Sequence, residues 1–400
     1  MKSILMLLLK DFNPDPRVLK EAKSLGKRGY SVTIHAWKYK GNYAKEDYKE
    51  FSVKHLGPQL PNNYDQMPKL LQIFFLSLYI FFYTCNAIFQ GIKKKFDILH
   101  AHDLNTLHIA AAIKLFRWTP LIYDSHEHYP SVLRDSSKLM YYFGTIAERL
   151  LTMPVTAIVT TNDAIAEQLK KYKKPIFIVS NCIDLAWFDA LADKKKAEEL
   201  LEKHNIRKVK KERQNSRQDK PIVLYEGIVK KIRGLQYLIE AKKYMKTDCI
   251  ILIVGEGPYI EELRQIAKQS NADDVYILGH VPYDDIPNYI LASDIGVNLL
   301  LPSFNNKFGN PNKIFEYLAG NIPLLVSNLP EMEKVVKEGN CGFVVDPSSP
   351  KDIAEKIDNF IRNSELTKLM GKNGRKIVEE KYNWEKQVDN LSQAYETIIS

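Results

Sequence analysis

The sequence predicts an α/β protein built from two Rossmann-like, parallel-sheet domains. Three observations carry this. Apolar strand patterns alternate with amphipathic helix patterns from Ser3 to Ser180, and the alternation restarts at Pro221. Between them, Lys194–Lys220 is dense in Lys, Glu, Gln and Asn and poor in apolar residues, the composition of a domain boundary. The length of 400 residues, 45% hydrophobic and 26% charged, suits two or three domains with real cores. The expected division is an N-terminal domain over 1–190, a charged linker over 191–219, and a C-terminal domain over 220–382. A last helix over 383–400 should pack back on the first domain.

The elements follow in order. Ser3–Leu9 is a short apolar run without a signal-peptide cleavage pattern, so it reads as a buried first strand. Arg17–Lys27 is helical, with Val18, Ala22 and Leu25 on one face, and Tyr30–Trp37 is the next strand. The loop Lys10–Pro16 lies at the carboxyl end of the first strand, where such sheets bind ligands, but has no glycine fingerprint.

Leu70–Phe89 carries no charge over twenty residues and is flanked by Lys69 and Lys93-Lys94-Lys95. Its length permits a membrane span, but a span would interrupt the sheet. Gln72, Tyr79, Tyr83, Asn86 and Gln90 form one weakly polar helical stripe. Two readings stay open: a helix buried in the domain, or one lying in a bilayer interface with basic residues 69–95 on an anionic surface.

Phe96–Ala101 and Leu121–Tyr123 are strands that deliver His102-Asp103 and Asp124-Ser125-His126-Glu127-His128 to one rim of the sheet. Zinc held by His100, His102, His126 and His128 is a second reading of that rim. Ala157–Thr161 and Pro175–Ser180 close the first half, with Asn162 or Asp163 capping the helix between.

In the second half, Pro221–Tyr225 leads into a basic loop, Gly227–Gly234, with Lys230, Lys231 and Arg233. Cys249–Val254 leads into Gly255-Glu256-Gly257-Pro258, and Val275–Leu278 into Gly279-His280-Val281. Ile295–Leu301 feeds the loop Pro302–Asn312, after which a helix starts near Lys313 with Glu316 in its first turn. Basic residues and glycines at successive strand ends suit a phosphate, and Glu316 is placed to accept hydrogen bonds from a sugar's vicinal hydroxyls. Taken alone, Asn310–Val326 also reads as a capped surface helix whose Glu complements the dipole. Asp352–Arg362 and Leu366–Glu380 are helices. Trp384, Val388, Leu391, Tyr395 and Ile398 form the apolar side of the last.

The net charge of +9 favours acidic partners: nucleotide phosphates, an anionic membrane face or nucleic acid. The basic linker has no interleaved aromatics for base stacking, so nucleic acid is not the expected partner. Cys85, Cys182, Cys249 and Cys341 lack metal or redox spacing and read as buried small residues in a reducing compartment.

Several motifs together resemble the family-4 retaining glycosyltransferases of the GT-B fold, over nearly the full length. They are Asp15-Pro16-Arg17-Val18, His100-Ala101-His102-Asp103, Tyr123-Asp124-Ser125-His126-Glu127, Gly227…Arg233-Gly234, Gly255-Glu256-Gly257-Pro258, Pro311-Asn312-Lys313…Phe315-Glu316-Tyr317 and Tyr382-Asn383-Trp384-Glu385. The resemblance implies two Rossmann-like domains facing across a cleft, with a UDP- or GDP-sugar on the second and a glycan or lipid-linked acceptor on the first. It implies that Glu316 binds the ribose, that Arg233 and Lys313 hold the diphosphate, and that His126 lies near the transferred sugar. Gly279–Val281, hence His280 and Val281, would flank the base. Asn312, Lys231, Gly227, Gly257, His102 and Asp103 complete the expected substrate contacts.

The chain departs from the family at Phe308, where many members have a glutamate eight residues before the ribose-binding one, and at Ile228, where many have arginine. Asp15-Pro16 stands in place of a glycine pair. Asn312, Lys230 and Lys231 are the nearby residues to compensate. The expectation is metal-independent transfer in cell-surface polysaccharide or glycoconjugate synthesis, by a cytoplasmic protein at the inner face of the cell membrane. The alternatives are a sugar-nucleotide epimerase of this fold and a non-catalytic nucleotide-binding protein.

Overall fold

The computed structural model describes residues 1–12, 15–38, 45–206, 220–270, 274–309 and 311–399. The chain divides into two compact units, Met1–Ser180 with Gln387–Ser400, and Asn181–Lys386.

In unit 1 the elements run β1 (Ser3–Leu8), α1 (Pro16–Lys27), β2 (Ser31–Trp37), β3 (Lys45–Asp47), β4 (Phe51–Leu56), α2 (Lys69–Lys93), β5 (Ile98–His102), α3 (Leu104–Arg117), β6 (Leu121–Ser125), α4 (Tyr129–Ser136), α5 (Lys138–Thr152), β7 (Ala157–Thr160), α6 (Asp163–Leu169) and β8 (Ile176–Ile178). The sheet order is β3-β4-β2-β1-β5-β6-β7-β8, parallel except for β3 at the edge. β1 lies between β2 and β5, so chain direction across the sheet reverses there, the position at which sheets of this kind bind ligands. Asp15 caps α1 by accepting from the Arg17 N–H at 3.0 Å, and Pro16 presets the first turn.

Unit 2 runs α7 (Leu185–Leu191), α8 (Lys194–Lys203), β9 (Ile222–Glu226), α9 (Leu235–Ala241), β10 (Ile250–Val254), α10 (Ile260–Gln269), β11 (Val275–Gly279), α11 (Ile286–Leu291), β12 (Ile295–Asn298), α12 (Lys313–Ala319), β13 (Leu324–Ser327), α13 (Pro330–Gly339), β14 (Gly342–Val345), α14 (Pro350–Arg362) and α15 (Ser364–Glu380). Its fully parallel sheet has the order β11-β10-β9-β12-β13-β14, a doubly wound arrangement with the reversal between β9 and β12.

Four features differ from the sequence reading. β3 and β4 extend the first sheet, and α4 and α5 fill the β6–β7 connection. Neither was apparent, because β3 is only three residues long and α5 carries its apolar residues outward. Residues 181–190 belong to unit 2 rather than to the first domain, and 191–206 to unit 2 rather than to a linker: α7 buries Phe188, and α8 buries Ala197 and Leu201 in the core under α11 and α12. The rest of the expected linker, 207–219, lies outside the described residues. Cys85 is exposed, not buried, since it sits on the outer face of α2, whereas Cys182, Cys249 and Cys341 are buried.

The last helix, α16 (Trp384–Ile399), passes from unit 2 into unit 1. There it buries Val388, Leu391 and Tyr395, while Arg28 bonds Asp389 at 2.5 Å.

Candidate functional site

Unit 2 builds its site where β9 and β12 diverge. The loop after β9 turns at Gly227 (φ 113°) and makes a short 3-10 turn over Lys231–Arg233 before Gly234 (φ 70°) opens α9. A Cβ on Gly234 would stand 2.2 Å from the Leu299 carbonyl oxygen, so this loop lies directly against the chain leaving β12. The Leu301 N–H donates to the Ile232 carbonyl at 2.8 Å and closes the junction. Val229 N–H bonds Glu256 O and Gly255 N–H bonds Gly279 O, each at 2.8 Å, which ties the loops after β9, β10 and β11 together. Gly255 holds φ 136°, and a Cβ there would meet the Gly227 carbonyl oxygen at 2.1 Å. Gly255→Ala is therefore expected to destabilise the protein by about 3 kcal/mol, read as a lowered melting midpoint.

Lys313, at the start of α12, is buried. Its ammonium donates to the Glu226 carbonyl and lies 4.1 Å from the Tyr225 ring centroid. A Cβ on Gly227 would come within 2.6 Å of that Nζ, so the glycine makes room for the cation. Arg233 is half-buried, and its Nε is buried without a hydrogen-bond partner among the described residues. A desolvated guanidinium N–H left open in this way is a donor that lacks its acceptor. Glu316 is buried and accepts from the Tyr283 hydroxyl at 2.9 Å, and Tyr283 stacks on Trp187 at 4.6 Å and 13°. Burial, then the Glu316 charge, pushes the Tyr283 phenol far up, so it remains a donor.

The other expected contacts divide. Asn312 precedes α12 without a side-chain capping bond, and Asn310 lies outside the described residues. Lys231 turns toward α10, 3.8 Å from Glu262 and over Tyr259. His280 is exposed, 3.8 Å from Glu256, and Val281 packs on the core. Gly257 packs backbone to backbone, with the Val229 carbonyl oxygen 2.1 Å from any added Cβ. Phe308 sits on a 3-10 turn, Asn306–Phe308. α12 is no surface helix: all seven of its residues are buried. Sequence reasoning missed Glu226, whose buried Oε1 has no partner among the described residues, and Tyr283. Glu226 carries a weak signal as the last strand residue before the glycine. Tyr283 had none, because it is more than thirty residues from the Glu316 it touches (|i−j| = 33).

Unit 1 gathers its polar residues at the carboxyl ends of β1, β5 and β6. Asp15 accepts from Arg17 Nη2 at 3.1 Å and pairs with Lys10, and those cations hold its carboxyl far below the usual range against the effect of burial. Asp103 stands at φ 61°, and its carboxylate accepts from the His126 backbone N–H at 3.2 Å. Register brings His102 beside Asp124. Asp124 Oδ2 then lies 2.7 Å from His126 Nε2, 2.9 Å from His102 Nδ1 and 3.3 Å from His100 Nε2. His100 Nδ1 meets the Tyr395 hydroxyl at 2.5 Å.

Burial alone would lower the His126 pKa, but the Asp124 carboxylate overrides it and raises it to about 9. His102 is pushed down to about 3 by burial and by His100. Glu21, buried beside Asp124, is pushed well above the carboxylate range by desolvation first and by that neighbouring charge second. The result is a buried Asp124⁻–His126⁺ pair whose His126 Nδ1 is buried without a partner among the described residues.

Glu21, His100, His102 and Asp124 each bring one ligand atom within 4.8 Å of the others, a donor set zinc accepts. This corrects the membership read from sequence. His128 turns away to Ser131 Oγ at 2.7 Å, and His126 is committed to Asp124. Asp124 Oδ2, the oxygen a metal would need, is already shared among three imidazoles.

Comparison with known proteins matches family models, a relative and solved structures. Residues 17–187 match the family model "Glycosyltransferase Family 4" and residues 206–377 match "Glycosyl transferases group 1". An uncharacterized glycosyltransferase of Methanocaldococcus jannaschii is 22% identical over 88% of each chain. Sucrose-phosphate synthase from Thermosynechococcus elongatus superposes with a TM-score of 0.77 at 16% identity, over 100% of this chain and 99% of that one. HepE of Anabaena, solved in complex with UDP-glucose, gives 0.73 at 14% identity over 98% and 99%.

Proposed function

This chain is a family-4 glycosyltransferase of the GT-B fold, and on that footing we propose that it moves a sugar from a UDP- or GDP-sugar, with retention, to a glycan or lipid-linked acceptor. The acceptor belongs to cell-surface polysaccharide or glycoconjugate synthesis, and the enzyme works peripherally at the inner membrane face. The observation that carries the donor assignment is the open Arg233 Nε beside the β9–β12 junction, where α12 adds the Lys313 ammonium.

The chemistry follows from charge. The bond from the anomeric carbon to the diphosphate breaks with positive charge growing on the ring and negative charge on the leaving oxygen. Arg233 and Lys313, held in place by buried backbone, stabilise that oxygen without reorganising. Glu316 accepts from the ribose hydroxyls, with Tyr283 fixing its carboxylate. His126, protonated by its pairing with Asp124, offers Nδ1–H to a hydroxyl of the transferred sugar. Attack comes from the face the phosphate leaves, and the phosphate oxygen takes the acceptor's proton.

Fixed cations supply the charge a metal would otherwise bring, so the rate is expected to be unchanged by chelator. Activity lost to EDTA and restored by Mn²⁺ would overturn this. A thermal-shift screen of nucleotide-sugars identifies the donor: at a hundredfold excess over Kd the folded state gains about 2.7 kcal/mol. Turnover of that donor with lipid extract tests transfer, and the anomeric configuration of the product tests retention. Donor isomerised without acceptor would mark an epimerase instead.

A further inference from the structure

The outer surface of unit 1 is apolar where a soluble domain is usually polar. α2 is long and apolar enough to cross a membrane, yet only 11% of its most apolar window is buried. It does not cross one: Tyr83, Ala87 and Gly91 are buried on its inner face, and the Tyr83 hydroxyl donates to the Leu8 and His35 carbonyls at 3.1 Å. Gln72 and Gln90 of its weakly polar stripe turn with Tyr83 toward the protein, while Asn86 is exposed. Gln72 donates to Met67 O at 2.9 Å, and Gln90 accepts from Lys54 at 3.0 Å. The apolar residues are left outside, which inverts the usual amphipathic order.

α2 packs on α3, and α3 on α5. Thr84 meets His108 at 3.3 Å, and Arg117 bonds the Ile92 carbonyl. The exposed apolar surface continues across this layer. Phe74, Phe81 and Phe89 on α2, Phe116 and Trp118 at the end of α3, and Phe143 on α5 are each at least 59% exposed. The charge is one-sided. The three helices carry Lys69, Lys93, Lys114, Arg117, Lys138 and Arg149, with Lys94 and Lys95 following α2. Their one acidic residue, Glu148, is buried and accepts from the Tyr172 hydroxyl at 2.7 Å.

We propose that the layer α2–α3–α5 is a single docking surface for an anionic lipid bilayer, with its aromatics in the interface and its Lys and Arg on the head groups. The inference extends the peripheral-membrane reading above and names the surface. A second copy of this chain is a poor occupant, because a twofold contact would set cation against cation. Aromatic rings on basic helices whose one acid is buried match an anionic interface.

Flotation of the full chain with phosphatidylcholine vesicles, with and without phosphatidylglycerol, tests this. The protein should rise only with the anionic vesicles. Lys93→Glu, Lys95→Glu and Lys138→Glu together should lower partitioning about a hundredfold, at about 1 kcal/mol per residue even before the added repulsion. Phe116→Ser with Phe143→Ser, both solvent-exposed, should lower it without moving the melting point. Protein that stays at the bottom with both vesicle types overturns the proposal, and so does full binding by the Phe116/Phe143 variant. A dimer in light scattering that these substitutions dissociate would also overturn it. Stabilisation by UDP and by GDP is read in parallel: the absence of both removes the donor assignment, whereas survival of either in a variant that no longer floats separates docking from catalysis.

Discussion

Arg233→Ala is expected to lower kcat about a hundredfold, corresponding to roughly 3 kcal/mol of lost transition-state stabilisation. The side chain brings a guanidinium whose Nε is buried and unbonded at the β9–β12 junction. In the transition state the departing diphosphate gains charge, so this contact strengthens as the bond breaks and the loss falls on kcat more than on KM. Arg233→Lys should recover part of the rate, because it returns the charge but not the planar fork. The fold should survive, since the loop's position depends on Gly234 and on backbone bonds rather than on this side chain. Steady-state kinetics with the donor identified by thermal shift decide it. Full activity in Arg233→Ala would remove the residue from the site.

Asp124→Asn is expected to cost about a hundredfold at neutral pH and to move the pH profile. In the native enzyme His126 titrates at about 9, so at neutral pH it carries both protons, one toward Asp124 and one on Nδ1. Activity should therefore fall as pH rises through about 9, when Nδ1 loses its proton. In Asp124→Asn burial acts without the opposing charge, His126 is neutral at pH 7, and the alkaline limb disappears.

Stability follows the same linkage. The folded value lies above the ordinary 6.5 of histidine, so the pair stabilises fully below about 6.5 and loses that contribution as pH rises toward about 9. The loss is about 3 kcal/mol at 1.36 kcal/mol per unit of pKa. Chemical denaturation across that window should show the slope in the native protein and a flattened one in the variant. A uniform loss of rate with an unmoved profile would assign Asp124 a packing role only.

Legibility differed between the polar clusters of the two units. The glycine loops, Lys313 and Glu316 were readable because each requirement is local: a positive φ, a strand end, a helix start. The Asp124 hub was not. His102, Asp103 and His126 stood out in sequence, but the carboxylate that organises them is the last residue but one of a strand with an ordinary buried pattern. Its partners come from β5, from the β6 loop and, through His100, from Tyr395 some three hundred residues away (|i−j| = 295). The zinc ligand set read from sequence had the wrong members for the same reason, since side-chain direction decides which histidines converge, and His128 points elsewhere.

The sequence by itself determined the parallel α/β class, the repeat of strand-and-helix units, the family and the basic glycine loops, because periodicity, turn residues and motif spacing are carried by neighbours along the chain. Tertiary structure alone decided that Ser180 rather than a later residue ends the first unit's main segment, that Asp124 sets the charge of His126, and that α2 turns its apolar side outward. Each of these depends on which surfaces meet across long sequence separations, and hydrophobic pattern cannot distinguish a face buried in protein from one left for lipid.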